Sequence, residues 1–354
     1  MRRKTKKVRI GSVVIGGMNP IAVQSMTNTF TENTEATVKQ ILELEDAGCD
    51  IVRSTVPDKR SAESFKEIKK HIHIPLVADI HFDYELAMLA AEYGADKIRI
   101  NPGNIGGREK TREVLQVCKK QGVPVRIGVN SGSLERDILK KYDKVTADGM
   151  VESMVKYICY CEEENFTDIV LSMKSSDVPL MVESYKKISS MYDYPLHLGV
   201  TEAGSVFSGS IKSSVGLGIL LYEGIGDTIR VSLTGDVKQE IKAGRIILRS
   251  LGYQINGVNL ISCPTCGRTK VNLEKLVAML EPELDKIKVR GCINVAVMGC
   301  AVNGPGEARE ADIGVAGGIG EFLLFRKGEI IRKIPEANVL EVLIDEISAL
   351  NNTL

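Results

Sequence analysis

From Ile21 to about Gly252 the chain repeats one phrase: a short apolar run rich in Val and Ile, a polar or glycine-bearing loop, then an amphipathic helical stretch. The first pass is IAVQSM followed by TVKQILELEDAG, whose closing Gly48 is a helix C-cap signal. DIVRST follows at once, then PLVADIH from Pro75, KIRINPG from Lys97, PVRIGVNSG from Pro124, DIVLSMKSS from Asp168, PLHLGVTEAG from Pro195 and TIRVSLTGD from Thr228. These runs have little polar alternation, which implies burial on both faces and hence parallel strands joined by helices. A doubly wound sheet and a closed barrel both satisfy the pattern. Eight units of this size favour a (β/α)8 TIM-type barrel, with residues 8–20, VRIGSVVIGGMNP, as a cover for its floor.

The rhythm breaks between Tyr253 and Val258, just before SCPTCGRT. The pattern therefore predicts an α/β protein of two domains: a substrate-binding barrel over residues 1–254 and a smaller α/β domain over 255–354. In the latter, NLEKLVAMLEPEL and NVLEVLIDEISAL read as helices. KVRGCINVAVMG, DIGVAGG and EFLLFRKGEIIRKI each read as one strand. SVFSGSIKSS, after the seventh barrel phrase, reads as a Ser/Gly loop with amides free for a phosphate.

Composition narrows the class. Lys plus Arg equals Asp plus Glu at 46 each among 354 residues, so no overall field attracts nucleic acid or an anionic membrane. No run reaches the roughly 18 apolar residues of a spanning helix, and the basic start lacks the apolar core of a signal peptide. A cytoplasmic enzyme is expected. In that compartment eight cysteines argue for metal or redox chemistry over a disulfide scaffold.

Four barrel runs carry an arginine where a buried strand should be apolar: Arg53, Arg99, Arg126 and Arg230, with Lys174 at another strand end. An unpartnered buried guanidinium costs several kcal/mol, so these groups must meet carboxylates, water or an anionic ligand. Barrel active sites lie at strand C-termini, and planar guanidiniums suit phosphate oxygens, so convergence there implies a strongly anionic substrate such as a diphosphate. The bland alternative is pairing with barrel acids such as Asp79 or Glu202. Asn101, Asn130, Ser172 and Ser232 share the same strand ends, while His81 and His197 are too separated for a metal site and read as packed or hydrogen-bonded residues.

Cys263 and Cys266, two residues apart, can hold one metal centre from a tight turn, with Cys300 in GCAVNGPGE as a third thiolate. Structural zinc competes, with Cys292 as its fourth ligand. Otherwise Cys292 reads as a small buried hydrophobe, as do Cys49, Cys118, Cys159 and Cys161.

CPTCGRT together with GCAVNGPGE, preceded by LGVTEAG and IRVSL, closely resembles the (E)-4-hydroxy-3-methylbut-2-enyl diphosphate synthase family of the methylerythritol phosphate route to isoprenoids. The resemblance spans nearly the whole chain and fits the two-domain bacterial type. It implies reductive, dehydrating ring opening of a cyclic diphosphate, methylerythritol cyclodiphosphate, on a [4Fe-4S] cluster held by Cys263, Cys266, Cys300 and Glu307. It further implies diphosphate binding by Arg53, Arg99, Arg126 and Lys174, with Asn130 and Ser232 near them and Asn303 close to the cluster. Glu202 becomes the candidate proton donor and Asp79 a weaker one. Flavodoxin or ferredoxin would supply electrons, and two chains would form a head-to-tail homodimer. The rivals from the residues alone are a barrel lyase or aldolase using Lys174 as a Schiff base beside a structural zinc domain, and a non-catalytic iron–sulfur carrier.

Overall fold

The computed structural model describes residues 2–300 and 308–352, and its chain falls into two units, Met1–Leu251 and Gly252–Leu354. The first unit opens with a hairpin, β1 (Val8–Ile10) and β2 (Val13–Ile15). Eight strands follow, one from each predicted run: β3 (Ala22–Met26), β4 (Ile51–Thr55), β5 (Leu76–Asp79), β6 (Lys97–Ile100), β7 (Val125–Asn130), β8 (Ile169–Lys174), β9 (His197–Leu198) and β10 (Thr228–Ile229). All pair in parallel, in the order β8-β7-β6-β5-β4-β3-β10-β9, and a parallel bridge between Leu171 and Leu196 brings β8 to β9. The strands close into a barrel, so the open-sheet alternative falls away.

The helices begin where short polar side chains satisfy their free first-turn N–H groups. Asp58, Asp177, Ser205 and Asp236 accept from the amides of Ser61, Leu180, Ser208 and Lys238. Ser205 corrects one expectation: SVFSGSIKSS is not a loop but the cap and first turns of a helix, Val206–Tyr222. Its small residues face the barrel, with Gly209, Ser213 and Gly216 buried, so helix and strands approach closely.

At the strand N-termini, Val8, Ile10 and Ile15 of the hairpin form one buried cluster with Ala22, Ile51, Val77 and Val170. The opening segment thus seals the barrel floor, as its apolar pattern predicts. The other end is left for chemistry.

The second unit is a five-stranded sheet in sequence order: β11 (Gly257–Ser262), β12 (Cys292–Met298), β13 (Ile313–Gly317), β14 (Glu321–Arg326) and β15 (Glu329–Pro335). The first three are parallel and the last two antiparallel. Helices Leu273–Leu284 and Val339–Asn351 bury Leu276, Leu280, Leu343 and Ile347 against Val295 and Val315 of the sheet. Two expectations change. GVNLIS, which begins inside the expected break between Tyr253 and Val258 and carries no predicted element, is β11. EFLLFRKGEIIRKI is a hairpin rather than one strand, because Lys327 and Gly328 both take positive φ, 47° and 80°, as a two-residue reversal demands.

Candidate active site

The cations converge at the open end. Arg53, Arg99, Arg126 and Lys174 are 7%, 7%, 1% and 8% exposed although each is charged or long. Two glycines make the room. A Cβ at Gly128 would lie 3.0 Å from the Arg99 guanidinium, and one at Gly199 would lie 3.1 Å from Lys174 Nζ.

The pairing alternative holds for some of these groups. Asp79, buried at the end of β5, faces Arg53 at 3.6 Å and Arg99 at 3.2 Å, and His81 Nε2 lies 3.3 Å away. Burial alone would push this carboxyl up, but Arg53, the His81 hydrogen bond, Arg99 and Arg126 hold it well below the usual range. Asp79 is therefore a fixed anion that organises two guanidiniums, a role at odds with proton donation. Arg53 itself is pushed down to about 10, by burial first and then by Arg230 and Arg99, against the attraction of Asp79.

Arg230 pairs with Glu240, an acid the sequence reading did not single out. Buried on the helix Val237–Ser250, Glu240 takes Arg230 Nη2 at 3.2 Å and Nε at 3.3 Å, the Leu233 amide at 3.1 Å and Ser25 Oγ at 2.8 Å. Its bonds to residues 230 and 233 bracket the half-buried Ser232 and fix the loop that carries it.

Arg126 and Lys174 form no ion pair with a carboxylate among the described residues, and Arg126 Nε and Nη1 are buried with no acceptor. Burial, then the neighbouring arginines, depress both groups well below their ordinary values. The unsatisfied charge is thus concentrated on two of the five cations at the mouth.

Glu202 follows β9, exposed and without a side-chain partner among the described residues, in a left-handed backbone at φ 53° that a non-glycine residue rarely adopts. Such strain concentrates at functional loops. Asn130 ends β7 half-buried. Asn101 is occupied by the Ser133 hydroxyl and the Gly103 amide, so it pins loops. Ser172 is occupied by Tyr185. His197 is a buried hydrogen-bonded residue, as expected, with Nδ1 2.7 Å from Thr228 Oγ1.

In the second unit the parallel register pairs Ser262 with Val297, so the CxxC turn and the Gly299–Cys300 segment leave the same end of neighbouring strands. The Gly299 amide donates to Cys263 Sγ at 3.2 Å and the Lys270 amide to Gly299 O at 3.1 Å. Hydrogen bonds from the Arg268 backbone and side chain, then its charge, lower the exposed Cys266 thiol toward the thiolate a metal needs. The thiols share one sheet end, yet among the described residues no three His, Cys, Asp or Glu side chains already stand at metal-binding spacing. Asn303 and Glu307 lie outside the described residues.

Cys292 is exposed, not buried, and opens β12 opposite Gly257. Six residues of strand separate it from Met298, on the order of 20 Å at ~3.3 Å per residue, so it stands at the wrong end to complete a site with Cys263. Cys159 is also exposed, whereas Cys49, Cys118 and Cys161 are buried as expected.

A closed (β/α)8 barrel with buried cations at the open end of its strands, carried in one chain with a thiol-bearing α/β unit, defines a two-domain α/β barrel protein. The chain belongs to the GcpE family: residues 5–245 match the GcpE TIM-barrel domain and residues 259–349 the GcpE protein C-terminal domain. It is 57% identical over 347 residues, 98% of both chains, to a 4-hydroxy-3-methylbut-2-en-1-yl diphosphate synthase (flavodoxin) of Ruminiclostridium cellulolyticum. The enzyme of that name from Caldanaerobacter subterraneus is 58% identical over 98% of this chain and 97% of its own. Among solved structures, dihydropteroate synthase of Stenotrophomonas maltophilia superposes with a TM-score of 0.52 at 16% identity, over 70% of this chain and 98% of that one. That likeness concerns the barrel fold alone.

Proposed function

We propose that the chain performs the two-electron reductive ring opening and dehydration of 2-C-methyl-D-erythritol 2,4-cyclodiphosphate to 4-hydroxy-3-methylbut-2-enyl diphosphate, an oxidoreductase step of isoprenoid biosynthesis. The observation that carries the substrate class is the buried pair Arg126 and Lys174, cations at a barrel mouth that lack a carboxylate of their own among the described residues. A diphosphate supplies the missing charge. Arg53 and Arg99, already aligned by Asp79, and Asn130 and Ser232 beside them, complete its cradle.

The thiolates of Cys263, Cys266 and Cys300 are proposed to hold a [4Fe-4S] cluster together with Glu307, with Asn303 close by. Their chemistry fits, because three free thiols reach one sheet end and Cys266 is drawn toward its thiolate. When bound, the cluster would deliver electrons and Lewis acidity to a substrate oxygen. The chain's own residues do the rest. Arginines preset at the mouth stabilise charge as the cyclic diphosphate becomes a leaving group. Glu202, without a side-chain partner among the described residues and held in a left-handed backbone, is the proposed donor of the proton with which the hydroxyl departs as water.

Flavodoxin, named for the relatives, is the proposed electron donor, with ferredoxin the alternative. A cytoplasmic setting is consistent with the absence, among the described residues, of any helix long and apolar enough to cross a membrane. A head-to-tail homodimer is proposed; an exposed stripe on the helix Val206–Tyr222, where Phe207, Ile211, Val215 and Ile219 recur every four residues, supports a partner surface but not its orientation. Mixing Arg126→Ala and Cys300→Ala chains should restore activity; no recovery after confirmed subunit exchange counts against that dimer.

The lyase reading has one point in its favour, the depressed Lys174 amine, but borohydride with an aldehyde substrate should trap nothing. The deciding experiment is anaerobic absorption spectroscopy with iron, sulfide and zinc analysis. A brown protein with about four iron and four sulfide per chain supports the cluster. A colourless protein with stoichiometric zinc removes it.

A further inference from the structure

TIM-barrel interiors are ordinarily filled by branched apolar layers. Here the layer between the sealed floor and the guanidiniums is polar. Lys97 opens β6 and faces inward with Arg99, since alternate strand residues share a face. It is fully buried, and its side-chain hydrogen bond, long at 3.5 Å, goes to Gln24 Oε1 on β3, three strands round the ring.

The charges acting on Lys97 are those of Arg126 on β7 and Arg53 on β4, both repulsive. From β9, His197 faces Lys97, Arg126, Arg53 and Lys174 of β8, and its proton affinity is depressed too, by burial first. Asp79 of β5 is engaged by Arg53 and Arg99, and Thr228 of β10 by His197. Gln24 Nε2 and Arg126 Nε and Nη1 are buried donors with no acceptor among the described residues, and His197 Nε2 is buried without a partner there. This interior is built of donors, and its carboxylates are already committed.

We infer that Lys97 is a positioning residue of the anion site, neutral in the empty barrel and protonated when an anion seats on the guanidiniums nearer the mouth. Burial and the neighbouring arginines penalise an ammonium in the free protein. An anion bound to Arg126 and Arg53 cancels the repulsion that keeps the proton away. The proton then adds one more cation beneath the ligand, so binding and protonation reinforce each other. Lys174, held in the same repulsive field, gains in the same way. The inference rests on the proposed anion site and assigns it a second layer.

Sulfate is the probe, because its charge stays fixed across the neutral and mildly alkaline range. Calorimetric titration of the full chain in two buffers of different ionisation enthalpy counts the protons taken up. The expected uptake is at least about one proton per sulfate, with the association constant falling by up to about tenfold per pH unit as the bound-state lysine titrates. Lys97→Met should lower the uptake by about one proton. Binding without uptake, or unchanged uptake in a folded Lys97→Met protein, overturns the role of Lys97. If that variant does not fold, a wild-type sulfate affinity independent of pH overturns it alone. If neither sulfate nor pyrophosphate binds, the anion site itself fails and the inference with it.

Discussion

Replacing Arg126 by Met should raise stability while abolishing tight anion binding. Arg126 is 1% exposed, and its Nε and Nη1 have no acceptor among the described residues. Each unsatisfied buried donor costs ~1–3 kcal/mol, and exchanging an unpaired buried charge for an apolar side chain commonly gains about 1–4 kcal/mol. Met is shorter than Arg, and the small void it leaves returns about 1 kcal/mol of that gain. A net increase of up to about 3 kcal/mol remains, which for a domain of this size raises the melting temperature by up to about 12 °C. Losing a desolvated charge contact to phosphate costs about 2–5 kcal/mol of binding, a weakening of about thirty- to several-thousand-fold. Thermal melts of ligand-free protein and calorimetry with inorganic pyrophosphate read the two effects separately. A variant that melts lower than wild type, or binds pyrophosphate as tightly, would refute the assignment of Arg126 as a charge held unpaired for its ligand.

Glu240→Gln should release Arg230 and the loop bearing Ser232, raising KM by roughly tenfold or more through loss of a charged hydrogen bond, measurable by steady-state kinetics. Glu202→Gln should lower turnover by about 10²–10⁴-fold while pyrophosphate affinity stays unchanged, because the side chain is free of the cation cradle. Cys266→Ser should remove bound iron yet leave the melting temperature of the metal-free chain unaltered, since Cys266 is exposed. For the ligand-free protein, Lys97 and Lys174 bind protons more weakly folded than unfolded, so stability should rise with pH between their depressed folded-state values and the ordinary lysine range. Above about pH 8.5 the rise should flatten, because unfolded thiols ionise there but buried Cys49, Cys118 and Cys161, each pushed up to about 12, do not. Urea titrations across that range test the sign.

The barrel was legible because each strand is a run of Val and Ile buried on both faces, a signal that needs no knowledge of the neighbours. The hidden elements had signals of another kind. β11 is half-exposed along GVNLIS, so its apolar content is diluted. The Lys327–Gly328 reversal is a two-residue event inside a long apolar stretch. At the site, a charge inside a buried run exposed Arg53, Arg99 and Arg126 to inspection. The same rule reaches Lys97, two residues before Arg99 on the same face, but a lysine at a strand's first position reads as a solvated end. Glu240 carries no such mark. It sits in KQEIK on an ordinary amphipathic helix, and only packing brings that helix turn onto Arg230. Cys292 illustrates the converse, because spacing alone cannot say which end of a strand a thiol occupies.

The hairpin that fills the floor makes the barrel a vessel with a single opening. Whatever enters past Glu202 must leave past it. On the proposed function, a diphosphate product that keeps the group the guanidiniums are proposed to hold would therefore block the next arrival until it has gone. Exchange at the mouth would then be sequential, with product and substrate in competition for the same cations.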